Sequence, residues 1–590
     1  VTIDIENLIA TRNAVRVRLF AAFQPDGACT GHLSDSALAV ALAALALDRA
    51  GKQEPAQRGR AWLIAHQNAD GGWGDTPDSP SNLATSLLTL CTLNAANEVD
   101  TPAGQRVRAW LGARTGGFAP KQIAAAVSEF YGADRTFSAP ILSVCAHCGL
   151  LGPEPEAWQW VMPLPFEAAR LPHRFYKWLR LPVVSYAMPA LIAIGLARHR
   201  KRPVALAPLR WLRERSAGPV LRALQRMQPE SGGFLEAIPL TAFVAINMMA
   251  AGETDCPVLA ACLDFLERGQ RPGGGWPIDT DLRSWTTSLA IRALTEDASA
   301  DCPDGWRQKS TDYLLSVQQR GRHPFTQADP GGWGWTSLSG AVPDADDTAG
   351  ALLALHRLDD SPAVREAAHA GLQWLLDLQN RDGGIPTFCR GWSNLPFDRS
   401  CPDITAHALA AFAAWTPRLP QLASRLDRAT QRALAYLAKA QKPDGSWVPL
   451  WFGNQAAPKQ ENPVFGTARV LEGLEQASVP RTAPLVDSGI RWLIRAQNGD
   501  GGWGGAPGVP SSLEETALAL AALAPHIDAP ARDRALRFLV ERTQCGACCP
   551  PTPIGLYFSS LWYSENLYPS LFIARALARV AASAQNQSNL

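Results

Sequence analysis

The sequence predicts an all-α protein assembled from helical hairpins, and three observations carry that reading. A short turn recurs in which a helical segment ends in Gln and an Asp/Gly-rich bend closed by Trp follows. Apolar residues at helical spacing flank each copy, and no run alternates apolar and polar as a half-buried strand would. Hairpins repeated in this way close into α/α barrels or stack as solenoids. The 590 residues are 47% apolar and 18% charged, ample for a large core and below the roughly 25% charged share of ordinary soluble chains. That composition excludes disorder and coiled coil. Lys+Arg 55 against Asp+Glu 54 leave a formal charge of +1, so nucleic acid is not an expected partner.

In chain order the turn runs as Gln67-Asn-Ala-Asp-Gly-Gly-Trp73, then in weaker form from Gln228 to Phe234 and from Gln270 to Trp276. It carries an insertion between Gln318 and Gly331-Gly-Trp333, and has Ile385 in place of Trp after Gln379. It returns in full as Gln441-Lys-Pro-Asp-Gly-Ser-Trp447 and Gln497-Asn-Gly-Asp-Gly-Gly-Trp503. Subtracting the starting numbers 318, 379, 441 and 497 gives steps of 61, 62 and 56 residues, room for two helices and their loops. The segments before the turns (60–67, 491–497) and after them (81–90, 514–523) have helical periodicity. Physically the turn is a helix stop. Glycine at positive φ ends the helix, the Gln amide bonds freed backbone groups, and Trp folds back between neighbours.

This repeat resembles the QW motif of the squalene-hopene and oxidosqualene cyclase superfamily over most of the chain. Protein prenyltransferase β subunits share the α/α barrel and similar Gly-Gly turns, so the repeat supports the fold more than the chemistry. The resemblance implies two α/α barrel domains: a catalytic barrel from residues 1–25 plus 300–590, and an inserted second barrel from 26–299.

The segment Pro343-Asp344-Ala-Asp346-Asp347-Thr-Ala-Gly350 precedes an apolar helical run. Capping and the helix dipole explain one or two carboxylates at a helix start. Three crowded together repel, so at least one is expected to hold its proton at neutral pH, as a general acid must. The segment matches the DxDD motif of class II terpene cyclases. By that resemblance Asp346 is the acid that protonates a terminal alkene, Asp344 and Asp347 support it, and His407 in Asp403-Ile-Thr-Ala-His407 lies against the cluster. A protonated His407 would stabilise the aspartate conjugate base.

A cation migrating along a folded polyene needs stabilisation without a nucleophile, which aromatic faces provide. The resemblance points to Trp285, Trp335, Phe388, Trp451, Tyr186, Tyr557 and Phe558 as the substrate-binding wall; core packing is the alternative for each. The loop from Trp392 to Cys401 is short for the family. Residues 34–38 and 81–85 lack the glutamates that hopene-forming enzymes present to a quenching water.

The implied function is a protonation-initiated cyclase acting on a linear triterpene such as squalene, with no metal and no other cofactor. The alternatives are a cyclase for a shorter or hybrid isoprenoid, or a prenyltransferase subunit, for which Asp398, Cys401 and His407 are the zinc grouping to test. The expected partners are a hydrophobic isoprenoid and a membrane surface, with a homodimer left open. The apolar run 181–197 carries two prolines and reads as a buried or interfacial helix rather than a span. The basic amphipathic stretch 198–226, with Trp211 and Leu212, reads as a membrane-docking face. No export signal is visible at the start of the sequence, which predicts a cytoplasmic, peripheral membrane enzyme. The twelve scattered cysteines read as reduced thiols, and neither Cys145-Ala-His-Cys148 nor Cys545-Gly-Ala-Cys548-Cys549 as a metal site.

Overall fold

The computed structural model describes residues 5–132, 138–296, 301–556 and 561–588. The predicted all-α architecture is what it shows. Helices with apolar residues on every side, such as Ala37–Arg49, lie inside. Helices with one apolar stripe lie outside: Ala423–Ala440 buries Leu426, Ala429, Ala433 and Leu437, one row at helical spacing, and leaves its charged face to water.

The inner helices form two closed rings. Arg283–Leu294, Ala345–Leu358, Pro402–Trp415, Pro463–Gln476, Leu513–Leu523 and Tyr568–Ser588 each pack on the next, and the last returns to the first. A second ring consists of Ala37–Arg49, Leu83–Ala95, Ser138–His147, Val183–Lys201 and Ile238–Ala250. Each ring encloses its own buried core. One boundary differs from expectation. The Arg283–Leu294 helix, assigned from sequence to the 26–299 unit, belongs to the first core because it closes the ring between Ala345–Leu358 and Tyr568–Ser588. The N-terminal helix Ile5–Ala21 packs outside that same ring, on Tyr568–Ser588.

The repeated turn works as a double clamp. Gln67 Nε2 donates to Gly71 O at 2.7 Å and to Ala103 O at 3.0 Å, tying the turn to the start of the next outer helix. The same pair of bonds recurs at Gln270, Gln379 and Gln497. The indole N–H of Trp73, Trp447 and Trp503 each donates to a helix carbonyl ten residues earlier, at 2.8 Å. Glycine is needed on two counts at Gly383: its φ is +94°, and a Cβ there would sit 2.2 Å from Arg432 O.

The apolar run 181–197 is a core element. Val183–Lys201 is an inner helix of the second ring, with Pro189 inside it. Among the described residues no helix is long and apolar enough to cross a membrane. The basic stretch that follows is partly structural. Arg198 and Arg213 are buried, Arg198 bonding Val161 O and Arg213 pairing with Glu167. Its exposed apolar side chains are Leu206, Trp211 and Leu212.

Two small sheets cap the loops. Ile385–Pro386 pairs antiparallel with Ser400–Cys401, and Phe452–Gly453, Ile554–Leu556 and Leu561–Tyr563 form a three-stranded sheet. The strand Leu561–Tyr563 of the second sheet packs Tyr563 against the first core and Leu561 against the second.

Candidate active site

Asp344 caps the Ala345–Leu358 helix, its carboxylate accepting the N–H groups of Asp346 and Asp347, both at 2.9 Å. The capping explanation therefore accounts for one of the three acids. Burial pushes the Asp344 carboxyl up to about 7, and burial with the charge of Asp344 pushes Asp347 well above the carboxylate range. The expected resident proton thus sits on the flanking pair. Asp346 behaves in the opposite way. Burial works to raise it, but contact with His407 and the fields of Arg469 and Arg292 outweigh that and hold it below the usual range. The Asp346 side chain keeps 15% of its surface accessible, against 2% for the His407 ring beside it.

His407, on the Pro402–Trp415 helix, contacts Asp346 Oδ1 through Nδ1 at 2.5 Å. Its Nε2 lies 2.7 Å from Arg292 Nη1. A guanidinium can only donate, so Nε2 is the acceptor and the single ring proton is on Nδ1, donated to Asp346. With Nε2 facing a donor, this geometry favours the neutral Nδ1–H ring over the protonated His407 that the resemblance implied. Burial, Arg469 and Arg292 lower its basicity to about 4 against the pull of Asp346. The cation behind the acid is arginine.

The structure gathers four of the expected aromatics. Phe388 lies 5.3 Å from Tyr186, 5.4 Å from Trp451 and 6.5 Å from Trp335 between ring centroids. Trp335 and Phe388 pack against both cores, which puts this wall at the junction of the two rings. Trp285 stands apart, 6.2 Å from the His407 ring, with its indole N–H donating to Tyr568 Oη at 3.1 Å. Tyr557 and Phe558 lie outside the described residues.

Sequence reasoning missed several members of this site. Phe397, in the loop noted as short, completes the aromatic wall at 5.4 Å from Phe388 and 5.7 Å from Trp451. Asp279 accepts the indole N–H of Trp335 at 3.3 Å, and its carboxyl is raised well above the usual range by burial, Glu236 and Asp281. The hydroxyl of Tyr563 feels both Asp279 and Asp346. Arg292 reads from sequence as one basic residue on an apolar helix. An isolated charge in the run 288–294 was the one available signal.

The zinc grouping separates. Asp398 accepts three backbone N–H groups, from Trp392, Ser393 and Leu395, and so shapes its own loop. The Cys401 thiol donates to Asp403 at 2.7 Å, and His407 is taken by Asp346 and Arg292. Among the described residues no three His, Cys, Asp or Glu side chains are grouped to hold a metal ion.

A cleft of about 1300 Å³ opens beside this wall, with Tyr186 and Phe388 among its lining and the exposed Trp178 and Trp392 at its rim.

Comparison with known proteins finds relatives by sequence and by fold. Residues 36–127 match the prenyltransferase alpha-alpha toroid domain. A terpene cyclase-glycosyl transferase fusion protein of Humicola fuscoatra is 27% identical over 91% of this chain and 47% of its own length. A squalene--hopene cyclase of Bradyrhizobium diazoefficiens is 30% identical over 43% of this chain and 42% of its own. The chain thus spans less than half the length of these two curated relatives. Among solved structures, ent-copalyl diphosphate synthase from Streptomyces platensis has the same fold, with a TM-score of 0.58 at 19% identity over 98% of this chain and 99% of that one. Residues 283–544 match the squalene-hopene cyclase C-terminal domain. That segment holds the acid cluster together with His407, Arg292 and most of the aromatic wall, and these matches together support the squalene-hopene cyclase and class II terpene cyclase family for this chain.

Proposed function

We propose that this enzyme cyclises a linear triterpene such as squalene, with Asp346 delivering the initiating proton to a terminal alkene. One observation carries the reading: the carboxyl in the DxDD cluster that is made more acidic than usual is one that keeps accessible surface, and its supports are the His407 imidazole and buried guanidinium groups. An alkene is a very poor base, so its protonation needs a strong acid shielded from water. Trp335, Phe388 and Trp451 then offer π faces, and Trp285 flanks the acid, to a cation that would react with any nucleophile. Asp344 and Asp347 fix the turn and keep their shared proton away from the reacting oxygen.

The far wall supports an uncharged polyene over a diphosphate ester. Trp335 leads there to Asp279 with Glu236 behind it, and the nearby Arg271 and Arg283 are engaged by Asp35 and Asp26. Asp279 and Glu236 offer a diphosphate no counter-charge. This reading takes the two rings as two domains, with the substrate between them. It also makes the enzyme a peripheral membrane protein, since a long hydrocarbon must come from a bilayer. Trp178 and Trp392 at the cleft rim, with Trp211 and Leu212, are the side chains that would enter the lipid.

The test is incubation of purified protein with squalene, and separately with farnesyl and geranylgeranyl diphosphates, presented in anionic liposomes and read by mass spectrometry. The expected result is a cyclic product of squalene, either isomeric with it or heavier by one water, formed by protein that sediments with the liposomes. Conversion of a diphosphate alone would transfer the assignment to a shorter isoprenoid, and inertness toward all three would overturn it. Turnover by protein that stays in the supernatant would overturn the docking.

A further inference from the structure

We propose that Arg292 is a positioning residue of the protonation step, holding His407 as the neutral Nδ1–H tautomer so that the ring supports Asp346 instead of taking its proton. The inference rests on the reading of Asp346 as the acid and adds what keeps the neighbouring imidazole from taking its proton.

The argument begins with an unusual burial. Arg292 projects from the inner helix Arg283–Leu294, and only 6% of its surface is exposed. Among the described residues its one hydrogen bond runs to His407 Nε2, and no carboxylate pairs with it. The acids nearby are already engaged. Glu472 is held by Arg575 at 2.6 Å and Arg469 at 3.6 Å, and Glu296 is shared by Arg357, Arg575 and Arg579 at 3.5, 3.9 and 3.4 Å. Burying a guanidinium without an ionic partner is costly, and packing alone does not require a cation in this place. The surplus charge is aimed at one imidazole nitrogen.

The chemistry shows why that nitrogen matters. During protonation an O–H bond of Asp346 breaks as a C–H bond forms at the alkene. The electron pair left behind spreads over the carboxylate, whose Oδ1 receives the Nδ1–H of His407. The ring gains and loses no proton. In the other tautomer Nδ1 would carry a lone pair 2.5 Å from the acid and would compete with the alkene for its proton. Arg292 occupies Nε2 with a donor and so excludes both that tautomer and the imidazolium. The charged groups acting on this pair are Asp346, Arg469, Glu472 and Arg575, from three surrounding inner helices, and Glu296 just beyond the end of the Arg292 helix. The other side of Arg292 lines a pocket of about 410 Å³ that Arg357 and Arg418 carry to the surface.

The experiment compares wild type, Arg292→Ala, Arg292→Lys and Asp346→Asn on the polyene that the wild type converts. Arg292→Ala should lower kcat by about 10- to 100-fold, the size of effect that groups orienting a functional histidine typically have, with KM within about twofold. Lys should retain more activity than Ala, and guanidinium ion admitted through the pocket should restore part of the Ala variant's kcat. In ¹⁵N-histidine NMR, assigned by difference from His407→Gln, the wild-type ring should stay neutral with the proton on Nδ1 from pH 5 to 8, whereas in Arg292→Ala it should titrate. Unchanged kcat, a loss confined to KM, or no rescue by either cation would overturn the proposal. So would a wild-type ring protonated on Nε2. If Arg292→Ala does not fold, the wild-type spectrum and the Lys variant decide the matter. Activity in Asp346→Asn would instead overturn the assignment of the acid, whereas an inactive Asp346→Asn beside a fully active Arg292→Ala would overturn this inference alone.

Discussion

Two helix starts in the first ring share one frame and differ in their chemistry. After Trp333 the chain runs Asp344-Ala-Asp346-Asp347-Thr348, and after Trp503 it runs Ser512-Leu-Glu514-Glu515-Thr516. In both, the Trp bridges the capping residue, the cap accepts a backbone N–H two or three residues on, and the threonine hydroxyl receives the Trp N–H. Two carboxyls follow the cap each time. Glu515 accepts amide hydrogens from Asn454 and Asn462, both at 3.0 Å. Glu514, with burial and Glu515 acting on it, is pushed up to about 8. Asp346 occupies the same repeat position as Glu514 and is shifted the other way, because His407, Arg469 and Arg292 stand beside it. The turn and cap set the position of an acid; the facing helices set its strength.

Exchanging the two carboxyls for amides breaks this comparison most directly. Asp346→Asn should reduce cyclisation by about 10³-fold or more with the fold intact, since the amide is nearly isosteric but carries no transferable proton. Glu514→Gln should leave the protonation step within a few-fold of wild type. His407→Ala should fall between them and lower kcat rather than raise KM. Equal losses in the Asp346 and Glu514 variants would mean that position rather than acid strength governs the reaction.

A smaller effect is expected from the aromatic wall, which the Asp346 side has and which should steer the cation once formed. A desolvated cation-π contact is worth on the order of 2 kcal/mol, enough to change a branching ratio more than tenfold. Truncating Trp335, Phe388 or Trp451 to Ala should therefore release less cyclised products, resolved by gas chromatography. A uniform fall in all products would assign these rings to packing.

The repeat explains how much of this was legible in advance. Gln, Asp-Gly and Trp at fixed spacing report a local helix stop, so the barrels, the turns and the acid helix could all be read from the chain. A cap among the three acids follows from the same local grammar, whereas Asp346 as the distinct acid came only from the resemblance to the DxDD motif. What stayed hidden is non-local. Arg292 is 115 residues from its partner His407, and Trp335 is 56 from Asp279, so no spacing rule announces either pair. The reading of His407 as a neutral ring rests on the first of these. The edge of the first ring stayed hidden for a related reason: Arg283–Leu294 reads as one more repeat helix, and only ring closure assigns it.

The least conspicuous consequence of the comparison lies in stability. Asp346 is depressed in the folded state, so its contribution is present above its unfolded value and is lost as pH falls through the folded one. Glu514 is raised from 4.5 to about 8, which reverses the sign. Between those values the folded protein keeps a proton that the unfolded chain has released, so stability declines as pH rises, by about 1.4 kcal/mol per unit for this group alone. Glu514→Gln removes that dependence while retaining an oxygen to accept the Thr552 N–H, a 2.7 Å bond in the wild type. The variant should therefore gain on the wild type steadily from pH 5 to pH 8, measured as the difference in urea midpoints at each pH. A difference that stays constant across this range would show that Glu514 is ionised in the folded protein, and the contrast between the two helix starts would then reduce to geometry.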